Sequence, residues 1–155
     1  MIVKALILAT FCVAASYQQG FSAISTCSGL TEPANLYILN CGTGVCNFYK
    51  GSYILARWDV QAKNYTTLLR PSAHLIVSFG GKFRFYDIAE DQLSSSLITG
   101  QNLPLQAGSV ATVNFQMPVP YGAVFNIPFQ ITITISDQLG HVVSCFTAYS
   151  IVKNY

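Results

Sequence analysis

Charged side chains are scarce in this sequence. Its 155 residues include eight Lys and Arg and six Asp and Glu, so 9% of them are charged, whereas 52% are hydrophobic. The few basic residues do not form a cluster anywhere along the chain. A protein that binds nucleic acid by neutralising phosphates needs many Lys or Arg side chains on one face. The composition therefore argues against a nucleic-acid partner.

Side chains that carry acid–base or nucleophilic chemistry are also few, and the GxSxG, HExxH, Walker and Rossmann motifs are absent. The two histidines, His74 and His141, fall in a predicted strand and beside a predicted turn, which is typical of solvated residues. Asp87, Glu90 and Asp91 are close in sequence, but a paired-carboxylate mechanism needs acids on opposite sides of a cleft. We therefore expect no enzymatic activity and no catalytic residue.

Helical periodicity is missing, and apolar and polar residues alternate instead. The alternation is clearest in Phe129 to Ser136, and it recurs in residues 52–60, 74–80 and 112–117. Further short strands are predicted at residues 24–30, 36–40, 82–88 and 142–152, while residues 89–105 read as a long connection. Seven or eight strands separated by turns predict an all-β fold, either an antiparallel sandwich or a barrel.

The amino terminus has the pattern of a secretory signal peptide. Lys4 precedes an apolar run at residues 5–15, which ends in the small residues Ala14, Ala15 and Ser16. This run is roughly half of the ~20 residues that span a bilayer, which disfavours a membrane anchor. We expect residues 1–16 to be removed and residues 17–155 to form one secreted domain, because 139 residues suffice for a single core.

Four cysteines remain after the signal peptide, and an even number in a secreted chain predicts two disulfides with three possible connectivities. The CxxxxC spacing of Cys41 and Cys46 fits neither a zinc ribbon nor a thioredoxin motif, so we expect no metal ion. Glycines between these two cysteines favour a disulfide that closes a hairpin-like corner. Cys27 and Cys145 then remain to join the first strand to the last.

A glycosylation motif occurs after one of the predicted strands. Asn64-Tyr65-Thr66 is an N-glycosylation acceptor, and a turn is expected at this point. The alternative is an unmodified surface turn, since such tripeptides also occur by chance. In both cases Asn64 should be exposed.

The apolar excess has two interpretations. It fills a solid sandwich core, or it lines a cavity between two sheets that binds lipid by burying apolar surface. Composition alone does not decide between these two interpretations. The order and spacing of a set of residues favour the second. The members of that set, in chain order, are Cys27 with Cys41 fourteen residues later, Cys41-x-x-x-x-Cys46, Lys50-Gly51, Asp137-x-x-Gly140 and Cys145.

In their order and spacing these residues resemble the ML lipid-recognition family, most closely its sterol-transfer branch associated with Niemann–Pick type C disease and the invertebrate relatives. The resemblance runs from Cys27 to the carboxyl terminus. It implies an immunoglobulin-like β-sandwich of two antiparallel sheets, with disulfides Cys27–Cys145 and Cys41–Cys46 and an apolar cavity. The implied ligand is a sterol, a fatty acid or a phospholipid, and no cofactor is expected.

The same resemblance implies a lipid-transfer protein that contacts membranes transiently and works outside the cell or in the lysosomal lumen. The alternative is a recognition subunit that presents bound lipid to a receptor of innate immunity. The loops at residues 89–105 and 120–129 are the expected gate.

Family correspondence and inward alternation together give the expected lipid-binding residues. Met117-Pro118-Val119 matches the family's Leu-Pro-Val stretch, which assigns Val119 to the pocket, and the strand after Lys50-Gly51 assigns Ala56 and Trp58. An aromatic residue at the mouth falls in Phe83 to Tyr86. The complete expected set is Ile54, Ala56, Trp58, Val77, Phe79, Phe85, Tyr86, Val113, Phe115, Val119 and Ile133.

Overall fold

The structure is a computed structural model that describes residues 23–93, 97–99, 103–119, 123 and 126–155. The predicted signal peptide lies outside the described residues. Within them no helix is long and apolar enough to cross a membrane. The strands of this part of the chain are β1 (Ile24–Thr26), β2 (Ala34–Ile38), β3 (Cys46–Tyr49), β4 (Tyr53–Gln61), β5 (Arg70–Phe79), β6 (Lys82–Asp87), β7 (Leu97–Thr99), β8 (Val110–Pro118), β9 (Pro128–Ser136) and β10 (Val142–Lys153).

Two sheets form the predicted sandwich. The larger sheet has the order β1-β10-β9-β5-β6, with β3 added alongside β10, and the smaller has the order β2-β4-β8-β7. All pairings between these strands are antiparallel except that of β3 with β10. Trp58 of the smaller sheet packs edge-on against Phe146 of the larger one, with ring centroids 5.0 Å apart. The predicted all-β sandwich of two sheets is confirmed.

Alternation along the strands places one set of side chains between the sheets. In β4, Ile54, Ala56, Trp58 and Val60 are buried, whereas Arg57 between them points outward. Successive side chains of a strand lie on opposite faces, so one apolar residue in two is enough to build the inner layer. The same rule gives β8 and β9 their buried positions.

Two segments differ from the sequence prediction. β3 was not predicted, because four residues are too few to show alternation, and its parallel pairing with β10 has no local signal. Residues 89–105 are predicted to be a long connection, but they contain a 3₁₀ turn at Glu90–Leu93 and strand β7. Leu93 is buried against the core and fixes that turn. Eight strands at most were expected, and the described residues contain ten.

Two disulfides join residues of the sandwich. Cys27 is bonded to Cys145, which ties the residue after β1 to the first third of β10 across 118 positions of sequence. Cys41 is bonded to Cys46, and these two residues also face each other in an isolated antiparallel bridge. This is the pairing that the sequence favours, including the hairpin-like corner before β3.

Candidate functional site

A cavity of about 620 Å³ lies between the two sheets at one end of the sandwich. The walls come from both sheets and from the segment between β8 and β9. Nearly all of the lining is apolar. Its residues are Ile54, Leu75, Val77, Phe79, Arg84, Tyr86, Met117, Val119, Ala123, Ile127, Phe129 and Val152.

The inner part of the cavity is built where β4 and β8 run side by side. Ile54 and Met117 are directly opposite each other in this antiparallel pair, and both are buried. Val119 follows at the end of β8, where its N–H and C=O bond to the backbone of Ser52 and Gly51. These bonds continue the pairing beyond the strand, so Val119 is held as firmly as a strand residue.

The outer part of the cavity is formed by the β5–β6 hairpin. Gly80 and Gly81 connect the two strands, and both have positive φ, as a two-residue type I′ turn requires. Leu75 faces Tyr86 and Val77 faces Arg84 across the hairpin, and all four of these residues line the cavity.

The outer face of β6 has an unusual composition. Phe83 and Phe85 alternate with Arg84 and Tyr86 and do not line the cavity. Their exposed fractions are 67% and 74%. The strand therefore turns its phenylalanines to solvent and its polar-tipped residues to the cavity, which reverses the usual arrangement for an edge strand of a sandwich.

The other end of the sandwich is filled. Trp58 is completely buried between Phe146, which it meets edge-on, and Phe115, whose ring centroid is 6.4 Å away. The indole N–H donates a hydrogen bond to the hydroxyl of Ser144 at 3.1 Å, so burying this polar group leaves no donor unsatisfied. Large rings from both sheets meet here, and none of these three aromatic residues lines the cavity.

No protein-family model matches the chain, and no curated protein sequence matches it. Among solved structures, the chain is similar to a Niemann-Pick type C2 protein from Japanese carpenter ant, with a TM-score of 0.62 and 10% sequence identity. The superposition covers 83% of this chain and 99% of that chain. The chain has the fold of a Niemann-Pick type C2 protein. This fold agrees with the family resemblance seen in the sequence.

A second solved structure is a family 123 glycoside hydrolase from Clostridium perfringens. The match has a TM-score of 0.47 and 9% identity, and it covers 70% of this chain but 22% of that chain. It is too slight to bear on fold or function. By contrast, the Niemann-Pick type C2 fold accounts for nearly the whole described sandwich.

Within this Niemann-Pick type C2 fold, five of the eleven expected lipid-binding residues line the cavity. They are Ile54, Val77, Phe79, Tyr86 and Val119. Ile54, Val77 and Phe79 were predicted from the alternation of β4 and β5. Val119 was predicted from the match to the Leu-Pro-Val stretch, and Tyr86 from the aromatic segment of β6.

The other six expected residues lie elsewhere. Ala56, Trp58, Val113, Phe115 and Ile133 are buried in the filled part of the core, and Phe85 is exposed on the outer face of β6. The inward direction predicted for the first five is right. However, alternation predicts only that a side chain points between the sheets. It does not predict whether that side chain borders the cavity or the filled core.

Several lining residues were not among those expected. Leu75 and Met117 follow the same alternation as their neighbours and could have been included on that ground. Phe129 and Val152 also occupy alternating positions in β9 and β10. Ala123, Ile127 and Arg84 have no sequence signal, because the first two lie outside strands and the third is charged.

Carboxylates with shifted pKa values lie away from the cavity. Hydrogen bonds from Asn35 and Thr112 lower the pKa of Asp59, with a further contribution from Arg57. Asp59 borders a second cleft of about 380 Å³, whose lining also includes Glu32 and Lys63. Among the described residues, no three His, Cys, Asp or Glu side chains are grouped so that they could hold a metal ion.

Asn64 is exposed, as the sequence predicts. Thr66 of the same tripeptide is buried, in contrast to Asn64. Its Oγ1 donates a hydrogen bond to the carbonyl of Asn64 at 2.9 Å. The backbone of Thr66 also pairs with Leu105. A glycan at Asn64 would therefore have to be attached before this turn folds.

Proposed function

We propose that this protein binds an apolar lipid in the cavity between its sheets and transfers it between membranes. The observation that carries the proposal is the cavity itself, because it is large, is lined almost wholly by apolar side chains and opens at one end of a disulfide-bonded sandwich. The fold shared with a Niemann-Pick type C2 protein supports the same function. The work is binding and release, without a bond being made or broken.

The size of the cavity suits a lipid. Pockets that enclose small molecules usually measure about 300–1,000 Å³, and this one, at about 620 Å³, lies in that range. Each methylene group moved from water into such a lining contributes about 0.8 kcal/mol. An alkyl chain or sterol ring system therefore gains enough to be withdrawn from water, while a polar metabolite does not.

Transfer needs contact with a membrane, and we assign that contact to the outer face of β6. Phe83 and Phe85 are exposed beside the cavity mouth, with Lys82 next to them on the strand. Aromatic side chains are favoured at the interface between lipid and water, and a lysine supplements them at an anionic surface. A lipid leaving the cavity would then pass directly into the bilayer. The proposed gate is formed by the segments at residues 89–105 and 120–129, which lie partly outside the described residues.

The alternative function is presentation of bound lipid to a receptor. It is supported by the same strand, because β6 is an edge strand whose backbone and phenylalanines are open to a protein partner. Under this alternative lipid would be held without being exchanged. Unaided transfer of lipid between vesicles separates the two functions.

The test is Val119→Trp, which fills the inner part of the cavity. Delipidated protein is loaded with cholesterol or oleic acid, and the bound fraction is measured by native mass spectrometry. The variant should bind at least about tenfold less than the wild type, since a bulky ring occupies the volume that the ligand needs. Val142→Trp is the matched control, because Val142 is exposed at the start of β10 and does not line the cavity.

Equal binding by wild type and Val119→Trp, with both folded, would contradict a ligand in this cavity. Absence of any bound lipid in the wild type would contradict the function altogether.

We further propose that the protein enters the secretory pathway, through cleavage after Ser16, and acts outside the cell or in the lysosome. Residues 17–155 would then be the mature domain, with a glycan on Asn64. The disulfides support this proposal, since such bonds persist in oxidising compartments. Amino-terminal sequencing of the exported protein, with Asn64→Gln compared for loss of mass, tests cleavage and glycosylation together.

A further inference from the structure

Arg84 is the one charged side chain among the described residues that line the cavity. All the other lining residues are apolar except Tyr86, which has a phenolic hydroxyl. A guanidinium in a lipid cavity is unusual, because the ligand's hydrocarbon part gains nothing from a cation. The position of this charge therefore has to be explained by another part of the ligand.

The register of the β5–β6 hairpin fixes where the charge lies. Arg84 is opposite Val77, and the next pair on the same face toward the turn is Phe79 with Lys82. Tyr86 is opposite Leu75 on the same face, one pair further toward the interior. Arg84 thus lies at the rim, between an apolar interior and solvent.

Arg84 has no hydrogen-bond or ion-pair partner among the described residues. The nearest carboxylate in sequence, Asp87, has opposite parity along β6 and forms an ion pair with His74. Because side chains alternate in a strand, Asp87 and His74 lie on the face away from the cavity. Within the described part of the chain nothing occupies the guanidinium, which leaves it available to an external anion.

We propose that Arg84 binds the anionic head group of the lipid, a carboxylate or a phosphate, while the hydrocarbon part fills the cavity. This inference rests on the proposed function and specifies the substrate class as an anionic amphiphile in preference to a neutral sterol. The guanidinium presents paired donors that match two oxygens of either group. The hydroxyl of Tyr86 is a second donor on the same face.

The rim position makes this arrangement energetically reasonable. Arg84 is exposed, so it stays hydrated when the cavity is empty and carries no burial penalty. When an anionic lipid binds, its chain removes water from the apolar side of the guanidinium and so strengthens the ion pair. Lys82 lies on the same face one pair further out and adds a second positive charge along the approach.

The test uses ligands of one chain length that differ in the head group. Oleic acid carries a carboxylate, oleoyl lysophosphatidic acid a phosphate, and oleyl alcohol no charge. Affinities are measured by titration calorimetry on delipidated wild type, Arg84→Gln and Arg84→Lys. Arg70→Gln is the matched control, since Arg70 is an exposed arginine on β5, roughly 20 Å along the strand from Val77.

We expect the wild type to bind at least one of the anionic ligands about tenfold more tightly than oleyl alcohol, which is the usual worth of a charge-assisted hydrogen bond. Arg84→Gln should remove that preference and leave oleyl alcohol binding within about twofold, whereas Arg84→Lys should retain part of it. Arg70→Gln should behave as the wild type. The preferred anionic ligand identifies the head group.

Two results would overturn the inference and leave the proposed function intact. One is a wild type that binds oleyl alcohol or cholesterol as tightly as both anionic lipids. The other is a folded Arg84→Gln variant, judged by its circular dichroism, that keeps the preference for the charged head. A wild type that binds none of these ligands contradicts the proposed function instead.

Discussion

The two ends of the sandwich are made from the same strands but differ in what lies between the sheets. At one end Trp58 of β4 is enclosed by Phe115 and Phe146, and the space is filled. At the other end Ile54 of the same strand and Met117 of the same neighbour border a cavity of about 620 Å³. Four residues of one strand separate a solid core from a cavity.

The difference shows how side-chain size divides one layer into two functions. Aromatic rings from both sheets reach across the gap at the filled end and hold it closed. At the open end the buried lining residues Ile54 and Val119 are aliphatic, the rings of Phe79 and Tyr86 are largely exposed, and a space remains between the sheets. Stability is therefore expected to depend mainly on the filled end, and binding on the open end.

The largest effect on stability is expected from the disulfide at the filled end. Replacing Cys27 and Cys145 with Ser opens a loop of 118 sequence positions and should lower the free energy of unfolding by about 5 kcal/mol on a chain-entropy estimate. The same change at Cys41 and Cys46 opens a short loop and should cost about 2 kcal/mol. Urea unfolding of both double variants measures the contrast, and equal losses would contradict it.

The next largest effect is expected from Trp58→Ala, compared with Val119→Ala. Removing the indole creates a void among Phe115 and Phe146 and leaves Ser144 without its hydrogen-bond donor, which should cost about 3–5 kcal/mol. Val119→Ala enlarges a space that already exists, so only the transfer of two methyl groups is lost, about 1.5 kcal/mol.

Thermal and urea unfolding of the two variants, without lipid, provide the measurement. Lipid binding should respond in the opposite order, with Val119→Ala changing affinity and Trp58→Ala leaving it unchanged at temperatures where the variant is folded. If both substitutions cost the same in stability, the division of the sandwich into a filled end and an open end is wrong.

Much of this fold could be predicted from the sequence because alternation is a local property. The inward positions of β4, β8 and β9 and the two disulfides were predicted, and the structure has them. β3 was missed because it is short and pairs in parallel with a strand about a hundred residues later. A pattern read over about ten neighbouring residues cannot predict a pairing between strands so far apart in sequence.

The cavity was harder to predict than the sandwich, for a physical reason. Whether Trp58 or Ile54 lines a space depends on what the opposite sheet places in front of it, and that is set by the register of both sheets. Trp58 was expected in the site because it points inward, yet Phe146 and Phe115 close the space around it. Arg84 was not expected, because a charged residue normally marks the outward face of a strand.

The smallest effect is expected from Asp137 in the turn between β9 and β10, on the same strands as the filled end. Its carboxylate accepts hydrogen bonds from the N–H groups of Leu139 and His141 at 2.8 and 2.9 Å. Burial raises the pKa of Asp137, but these two bonds and the nearby His141 imidazole lower it further, so the net pKa is below its ordinary value. The ionised form therefore stabilises the folded protein.

The sign of the pH dependence follows from this direction. A carboxyl group with a lowered pKa in the folded state contributes its full stability above the unfolded pKa, about 3.9, and loses it as the pH falls through the folded pKa. Asp137→Asn should therefore be less stable than the wild type at pH 5 to 7, and the gap should narrow below about pH 4. The pKa of Asp59 is also lowered, so Asp59 contributes to the pH dependence of both proteins. The quantity to measure is therefore the difference in unfolding free energy between wild type and variant, obtained by urea unfolding at each pH. A gap that stays constant down to pH 2 would contradict the assignment, because it would show that the charge of residue 137 contributes nothing to the difference in stability.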